Sequence, residues 1–286
     1  PSATLEMNAR AQKKRAAGEK VYNLSAGEPI LKTPQVIIDA AVRAMKEGKT
    51  QYSPSAGIPE LREAASDWIN SDYRGEYSVA ETFVTNGAKY ALYSLCQVLL
   101  QAGDEAIVVT PFWVSYESMI TLSGAKAIYL NTTEEQEWKL SVSDLESLIT
   151  KRTRCLFLNN AGNPTGALYS REEMEAILKL CASKNVLVIS DEVYSGLTYD
   201  GYQFVSAASF SEYKEHVVVV QSASKNFAMT GWRVGFAFGS KKIIDALSTL
   251  QGQSTSNTST ISQWAAIAAI EERKEITRAI SEEMRE

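Results

Sequence analysis

The sequence predicts an α/β fold, with a mostly parallel sheet wound by helices on both sides. Three observations predict it. Apolar runs of strand length recur between segments of helical spacing, so strand and helix alternate along the chain. Residues 217–220 are valine throughout and residues 186–190 are apolar up to a final serine, the pattern of strands covered on both faces. At residues 81–100 a strand-like run passes through a turn of small residues into an amphipathic helix, the unit from which such sheets are wound.

The chain of 286 residues is long enough to bury a sizeable core as one large domain or one and a half. Its 45% hydrophobic and 22% charged content is ordinary for a soluble globular enzyme. A net charge of -5 gives no electrostatic reason to bind nucleic acid or an anionic membrane. The longest apolar runs are far too short to span a bilayer and there is no signal peptide. Cys96, Cys155 and Cys181 are an odd number and sit in apolar segments, which predicts reduced, buried thiols in a cytoplasmic protein. One histidine, His216, leaves no material for a zinc site or a Ser-His-Asp triad and is read as structural.

Taken in order, residues 3–17 have helical spacing with a basic face of Arg10, Lys13, Lys14 and Arg15, read as solvated. Ser25-Ala26-Gly27-Glu28-Pro29 follows, where the glycine lets the backbone approach a ligand. Helical patterns at 34–46 and 58–73 flank a turn-rich stretch at 52–57 that begins with Tyr52. After the strand at 81–85, Asn86-Gly87-Ala88-Lys89 opens a helix running to residue 100. Free N–H groups and the helix dipole there hold an anion. No GxxxxGK[ST] exists, so this is not a nucleotide phosphate loop of that type.

The strand at 106–110 ends in Pro111-Phe112-Trp113-Val114-Ser115-Tyr116, at the strand end where open sheets bind ligands. Trp113 can stack on a flat ring, with core packing as the rival reading; Tyr116 is read as packing. A strand at 125–130, a short helix at 142–149 and a strand at 154–158 lead into the Asn/Gly/Pro-rich turn 159–166. A helix opens from Ser170, with Ser170 and Glu173 as a capping box. The strand at 186–190 ends in Asp191-Glu192-Val193-Tyr194, and a carboxylate so placed is costly unless a cation meets it. A metal held by Asp191 and Glu192 is the alternative, with no phosphate loop to accompany it.

The strand at 217–220 runs into Ser222, Ser224 and Lys225, and Arg233 opens a strand-like run at 234–238. A hydroxyl three positions before the lysine and a guanidinium eight after it can converge on one phosphate. That leaves the amine to form an imine, and a phosphorylated aldehyde held this way is pyridoxal phosphate. The charged helical pattern at 271–286 reaches the last residue without a stop signal and the first residue is Pro1, which together read as a portion of something longer.

The run SASKNFAMTGWRVGF resembles the cofactor-lysine motif of the pyridoxal-phosphate-dependent aminotransferases of fold type I, class I/II, with Ser222, Lys225, Gly231, Arg233 and Gly235 at the family spacing. The AGEP, YxPxxG and NPTG stretches look like the same family, whose usual proline two residues before Asn163 is Ala161 here. The departure is expected to relax the loop without touching the ligand. The resemblance implies a seven-stranded sheet in a large domain at 35–268. It also implies a small domain begun by residues 1–34 and by an interdomain helix at 269–286, its remainder absent.

It further implies that Lys225 carries the cofactor aldehyde and then serves as the base, and that Asp191 faces the ring nitrogen. Tyr194 and Asn163 would bind the 3'-oxygen, with Asn163 also on the substrate carboxylate, and Trp113 would stack on the ring. Backbone N–H groups of Ala88 and Lys89, with Ser222, Ser224 and Arg233, would hold the phosphate, while Tyr52 reaches the phosphate of the other subunit of a homodimer. Gly27 would line the substrate pocket. The pairing of NGAK with PFWVSY and MTGWR looks most like prokaryotic-type aspartate aminotransferases, in which the lysine at position 89 helps recognise a distal carboxylate. The function implied is transfer of an amino group from an L-amino acid, aspartate first, to a 2-oxo acid such as 2-oxoglutarate. An aromatic or kynurenine aminotransferase, a carbon-sulfur lyase, and a non-catalytic cofactor-binding module are the alternatives.

Overall fold

The protein is described from a computed structural model, which covers residues 3–23, 27–29 and 31–285. Seven strands, β1 (Thr82–Thr85), β2 (Glu105–Thr110), β3 (Lys126–Asn131), β4 (Thr153–Asn159), β5 (Leu187–Asp191), β6 (Val217–Ser222) and β7 (Gly235–Phe238), form one sheet in the order β1-β7-β6-β5-β4-β2-β3. Strands β2 to β6 pair in parallel, and β7 runs antiparallel to both β1 and β6. The helices are α1 (Ala3–Ala16), α2 (Gln35–Lys46), α3 (Pro59–Tyr73), α4 (Ala88–Leu99), α5 (Ser115–Leu122), α6 (Val142–Leu148), α7 (Arg171–Ser183), α8 (Ala223–Asn226), α9 (Lys241–Ser254), α10 (Thr260–Glu271) and α11 (Arg273–Arg285).

The unbroken valine run of β6 shows why the sheet needs helices on both faces. Side chains alternate along a strand, so Val217 and Val219 pack with Ile69 of α3, Ile177 of α7 and Ala265 of α10. Val218 and Val220 pack on the opposite face with Leu95 of α4, Ile120 of α5 and Leu247 of α9. Each fully buried valine contributes roughly 1.5–3 kcal/mol from burial, so a polar residue on either face would be disfavoured. Cys96 and Cys155 lie in the second layer and Cys181 in the first, all free and buried, as expected of thiols in apolar segments.

Most boundaries shift by a residue from the sequence expectation, and two of the shifts have a visible cause. Val79–Glu81 forms a 3-10 turn and the strand begins only at Thr82, because the Glu81 carboxylate turns back to accept the Ser78 N–H at 2.9 Å. Arg233 sits at φ 56, the left-handed region, so β7 begins at Gly235 rather than at Val234. The helix at Ser170 starts as expected: Ser170 Oγ accepts the Glu173 N–H at 3.2 Å and Glu173 accepts the Ser170 N–H at 2.7 Å. Among the described residues no helix is long and apolar enough to cross a membrane.

Candidate active site

Register decides which polar side chains meet. Gly235 lies opposite both Thr85 and Ser222, and Asp191 lies opposite both Asn159 and Val220. The ends of β1, β4, β5 and β6 and the beginning of the reversed strand β7 therefore share one edge of the sheet, where open α/β sheets bind ligands.

At one side of this edge is an anion cradle. Gly87, at φ 84, caps the twelve residues of α4, and the first helical backbone bond runs from Tyr90 N–H to Gly87 O at 3.0 Å. The N–H groups of Ala88 and Lys89 thus begin a helix without an intrahelical acceptor. Arg233 is placed beside them: its guanidinium donates to Thr230 O at 2.8 Å and to Asn86 O at 3.4 Å. A Cβ added to Gly87 would come within 2.5 Å of Arg233 Nη2, and one added to Gly235 would strike the Gly87 and Ala88 backbone. Only glycine lets these three segments converge. Ser222 Oγ caps α8 by accepting the Ser224 N–H at 3.1 Å, which uses a lone pair and leaves its proton to donate.

In the middle of the edge is a buried carboxyl. Asp191 is 4% exposed and accepts the Tyr116 hydroxyl proton at 2.6 Å. Burial pushes its pKa up to about 6, against the lowering pull of the Tyr116 hydroxyl and the Val193 N–H. Tyr116 was expected only to pack. Correcting that, its hydroxyl, itself raised in pKa by burial and by Asp191, holds the carboxyl in place. The signal available was a large polar-tipped ring one helical turn after Trp113, whose buried hydroxyl required a partner. Trp113 stands edge-on to Tyr116 at 5.6 Å, and Lys89 Nζ lies 4.7 Å from the Trp113 ring centroid. Desolvation first and Arg233 second lower the Lys89 pKa.

The turn at 159–166 is held by hydrogen bonds at both ends. Asn159 Nδ2 donates to Asp191 O at 2.8 Å while its Oδ1 accepts the Asn163 N–H at 2.7 Å, and Gly166 N–H closes onto Gly162 O at 2.7 Å. Asn163 Nδ2 then donates to Tyr194 OH at 3.2 Å, bringing those two predicted groups together. Burial, with Asp191 next, raises the Tyr194 pKa. Lys225, half-buried, donates from its amine to the Gly27 carbonyl; desolvation lowers its pKa, with Glu28 opposing. Ser25 and Ala26 of the same loop lie outside the described residues.

Tyr52 stands apart from these groups. It is 91% exposed and lines an open hollow of about 680 Å³ with Thr50, Gln51, Thr255 and Asn257. Glu192 was considered only as a metal partner for Asp191, and the structure gives it other company. It is fully buried and accepts from Ser190 Oγ, Ser206 Oγ and the Ala207 N–H at 2.9, 2.6 and 2.8 Å. Burial pushes its pKa up to about 7.

Comparison with known proteins gives a consistent picture. The model of the family described as aminotransferase class I and II matches residues 19–286. The chain is 45% identical over 270 residues to an aspartate aminotransferase of Bacillus subtilis, covering 94% of this chain and 69% of that protein. It is 41% identical over 286 residues to an aspartate/prephenate aminotransferase of Thermus thermophilus, covering 100% of this chain and 73% of the relative. The solved structure of the Thermus thermophilus aspartate aminotransferase with maleate superposes with a TM-score of 0.95 at 40% identity, covering 99% of this chain and 73% of that one. The aspartate aminotransferase of Rhizobium meliloti superposes with a TM-score of 0.95 at 33% identity, covering 100% and 72%.

Proposed function

Because the chain belongs to the family of class I and II aminotransferases, we propose that it transfers the amino group of an L-amino acid, aspartate first, to a 2-oxo acid such as 2-oxoglutarate, with pyridoxal phosphate as cofactor. The observation that carries this reading is the placement, on one sheet edge, of the anion cradle at Ala88 and Arg233, the buried carboxyl of Asp191 and the turn that presents Lys225.

The residues present suit that cofactor. The cradle's walls come together only because no Cβ at Gly87 presses on Arg233 and none at Gly235 presses on the Gly87 and Ala88 backbone. Asp191 is buried with a raised pKa and no cation among its perturbing neighbours, so a protonated ring nitrogen would satisfy it. When bound, pyridoxal phosphate supplies an electron sink for the pair left at the substrate Cα.

The chain's own residues do the remaining work. Ala88 and Lys89 N–H groups, the Ser222 and Ser224 hydroxyls and Arg233 hold the phosphate. Asp191 keeps a proton on the ring nitrogen, and Tyr116 keeps Asp191 in line. Asn163 and Tyr194 orient the ring oxygen, and Trp113 covers one ring face. The Lys225 amine would hold the aldehyde and, once the substrate amine has displaced it, would be free, with its pKa lowered by burial, to take the proton from the substrate Cα. Lys89 attracts the distal carboxylate of aspartate, and Gly27 lines the substrate pocket. We read residues 35–268 as the cofactor domain, with 1–34 and 269–286 belonging to a smaller one. Tyr52 reaches a second copy in a cytoplasmic homodimer.

The test is spectroscopic. Loaded with pyridoxal phosphate and mixed with aspartate, the protein is expected to shift from the absorbance of the aldehyde form to that of the amine form, and 2-oxoglutarate should restore the first spectrum. An unchanged spectrum overturns the reading in favour of a cofactor-binding module.

A further inference from the structure

Lys225 lies on α8, a helix of four residues that cannot hold itself together. Its flexible arm must nevertheless deliver the amine to one place. What grips the turn is the next side chain, Asn226, 1% exposed: its Nδ2 donates to Ser195 Oγ at 3.1 Å and its Oδ1 accepts the Gly196 N–H at 3.1 Å. Ser195 Oγ also accepts the Tyr73 hydroxyl proton at 2.9 Å and donates to Gln221 Oε1 at 3.0 Å, which fills the capacity of a hydroxyl. Gln221 Nε2 donates to Glu192 Oε2 at 3.4 Å. Ser195 and Gln221 are 5% and 0% exposed, so water does not compete.

Each amide in this chain has two possible orientations, and only one satisfies all partners. The two ends decide which: the Gly196 N–H is a fixed donor onto Asn226, and Glu192, when ionised, can only accept, as it already does from the Ala207 N–H and the Ser190 and Ser206 hydroxyls. The Gln221 NH2 therefore faces Glu192 and its oxygen faces Ser195. Ser195 must give its proton to that oxygen, so its lone pairs face Asn226. The Asn226 NH2 then faces Ser195, which leaves its oxygen for the Gly196 N–H.

We propose that Glu192 is a positioning residue for Lys225, acting through Gln221, Ser195 and Asn226 by fixing the direction of every hydrogen bond between them. The inference rests on the reading of Lys225 as the residue that binds the cofactor aldehyde. Changing Glu192 to Gln keeps its shape and reverses the chain. The fixed Ala207 N–H retains the new oxygen on its own side, so the new NH2 confronts Gln221 and turns it over. The reversal reaches Ser195, which must either turn its proton onto Tyr73 and orphan that buried phenol's own, or turn Asn226 so that its NH2 meets the Gly196 N–H, donor against donor; each loosens the turn that carries Lys225.

The test uses the full chain and the rate at which pyridoxal phosphate forms a borohydride-trapped adduct on Lys225, with amide exchange at Gly196 as a cofactor-free readout. Glu192→Gln and Ser195→Ala are expected to slow adduct formation by roughly tenfold and to speed Gly196 exchange, as expected when a reacting group is misplaced. Ser195→Thr, which keeps the hydroxyl, should restore the native rate to within about threefold. Native adduct rates and native Gly196 exchange in Glu192→Gln, at whatever melting temperature, overturn the proposal. An adduct on another lysine in the native chain overturns the cofactor assignment instead. Should Ser195→Ala fail to fold, Glu192→Gln with its Gly196 exchange decides alone.

Discussion

Single side chains act here through what burial does to them. Asp191 has a folded pKa of about 6 against an ordinary 3.8, so the folded chain holds its proton more tightly than the unfolded chain does. The stability this gives is complete below about pH 4 and is lost as pH rises through 6. In the cofactor-free protein, urea titrations between pH 4 and 7 should show the native chain losing roughly 3 kcal/mol more than Asp191→Asn. Identical pH dependence would show that the carboxyl is not perturbed. Lys89 lies over the Trp113 ring with Arg233 nearby, and its proposed role is to meet the distal carboxylate of aspartate. Lys89→Met should raise KM for aspartate about tenfold more than for an aromatic amino acid, in steady-state assays with both donors. Equal changes would remove Lys89 from specificity.

At the scale of elements, two contacts separate site from scaffold. A methyl at Gly235 would push β7 away from the Gly87–Ala88 backbone, overpacking that costs about 1–3 kcal/mol. Gly235→Ala should lower the melting temperature and weaken cofactor binding at least tenfold by fluorescence titration. Ser170→Ala is the control: it strips the cap from α7, far along the chain from the cradle, and should cost about 1 kcal/mol in denaturant titration with turnover unchanged. The strands and the Ser170 cap were legible because apolar runs and caps are local patterns. The turn at Val79–Glu81 was less so, since one glutamate bending back to Ser78 outweighed β propensity. The partnerships Tyr116–Asp191 and Gln221–Glu192 could not be read from the sequence because their members are remote, 75 and 29 positions apart. No spacing rule links such pairs. Lys225 and Asp191 stood out in the sequence because each comes at or just after the end of an apolar strand, and Arg233 because it opens the next strand-like run.

For the molecule as a whole, Tyr52 is the residue that a single chain leaves unexplained, 91% exposed above an open hollow. If a second copy supplies its partner, Tyr52→Phe should weaken cofactor binding by roughly fivefold while sedimentation still reports a dimer. Unchanged binding would return Tyr52 to the surface. The two layers of helices on the sheet also carry their own reporters. Cys96, on α4, and Cys155, on β4, belong to the core between the sheet and α4, α5 and α9, whereas Cys181, on α7, belongs to the core beneath α3, α7 and α10. An alkylating reagent added during slow unfolding would therefore stamp each layer separately, and peptide mapping of the tags would tell which side of the sheet opens first without any engineered label.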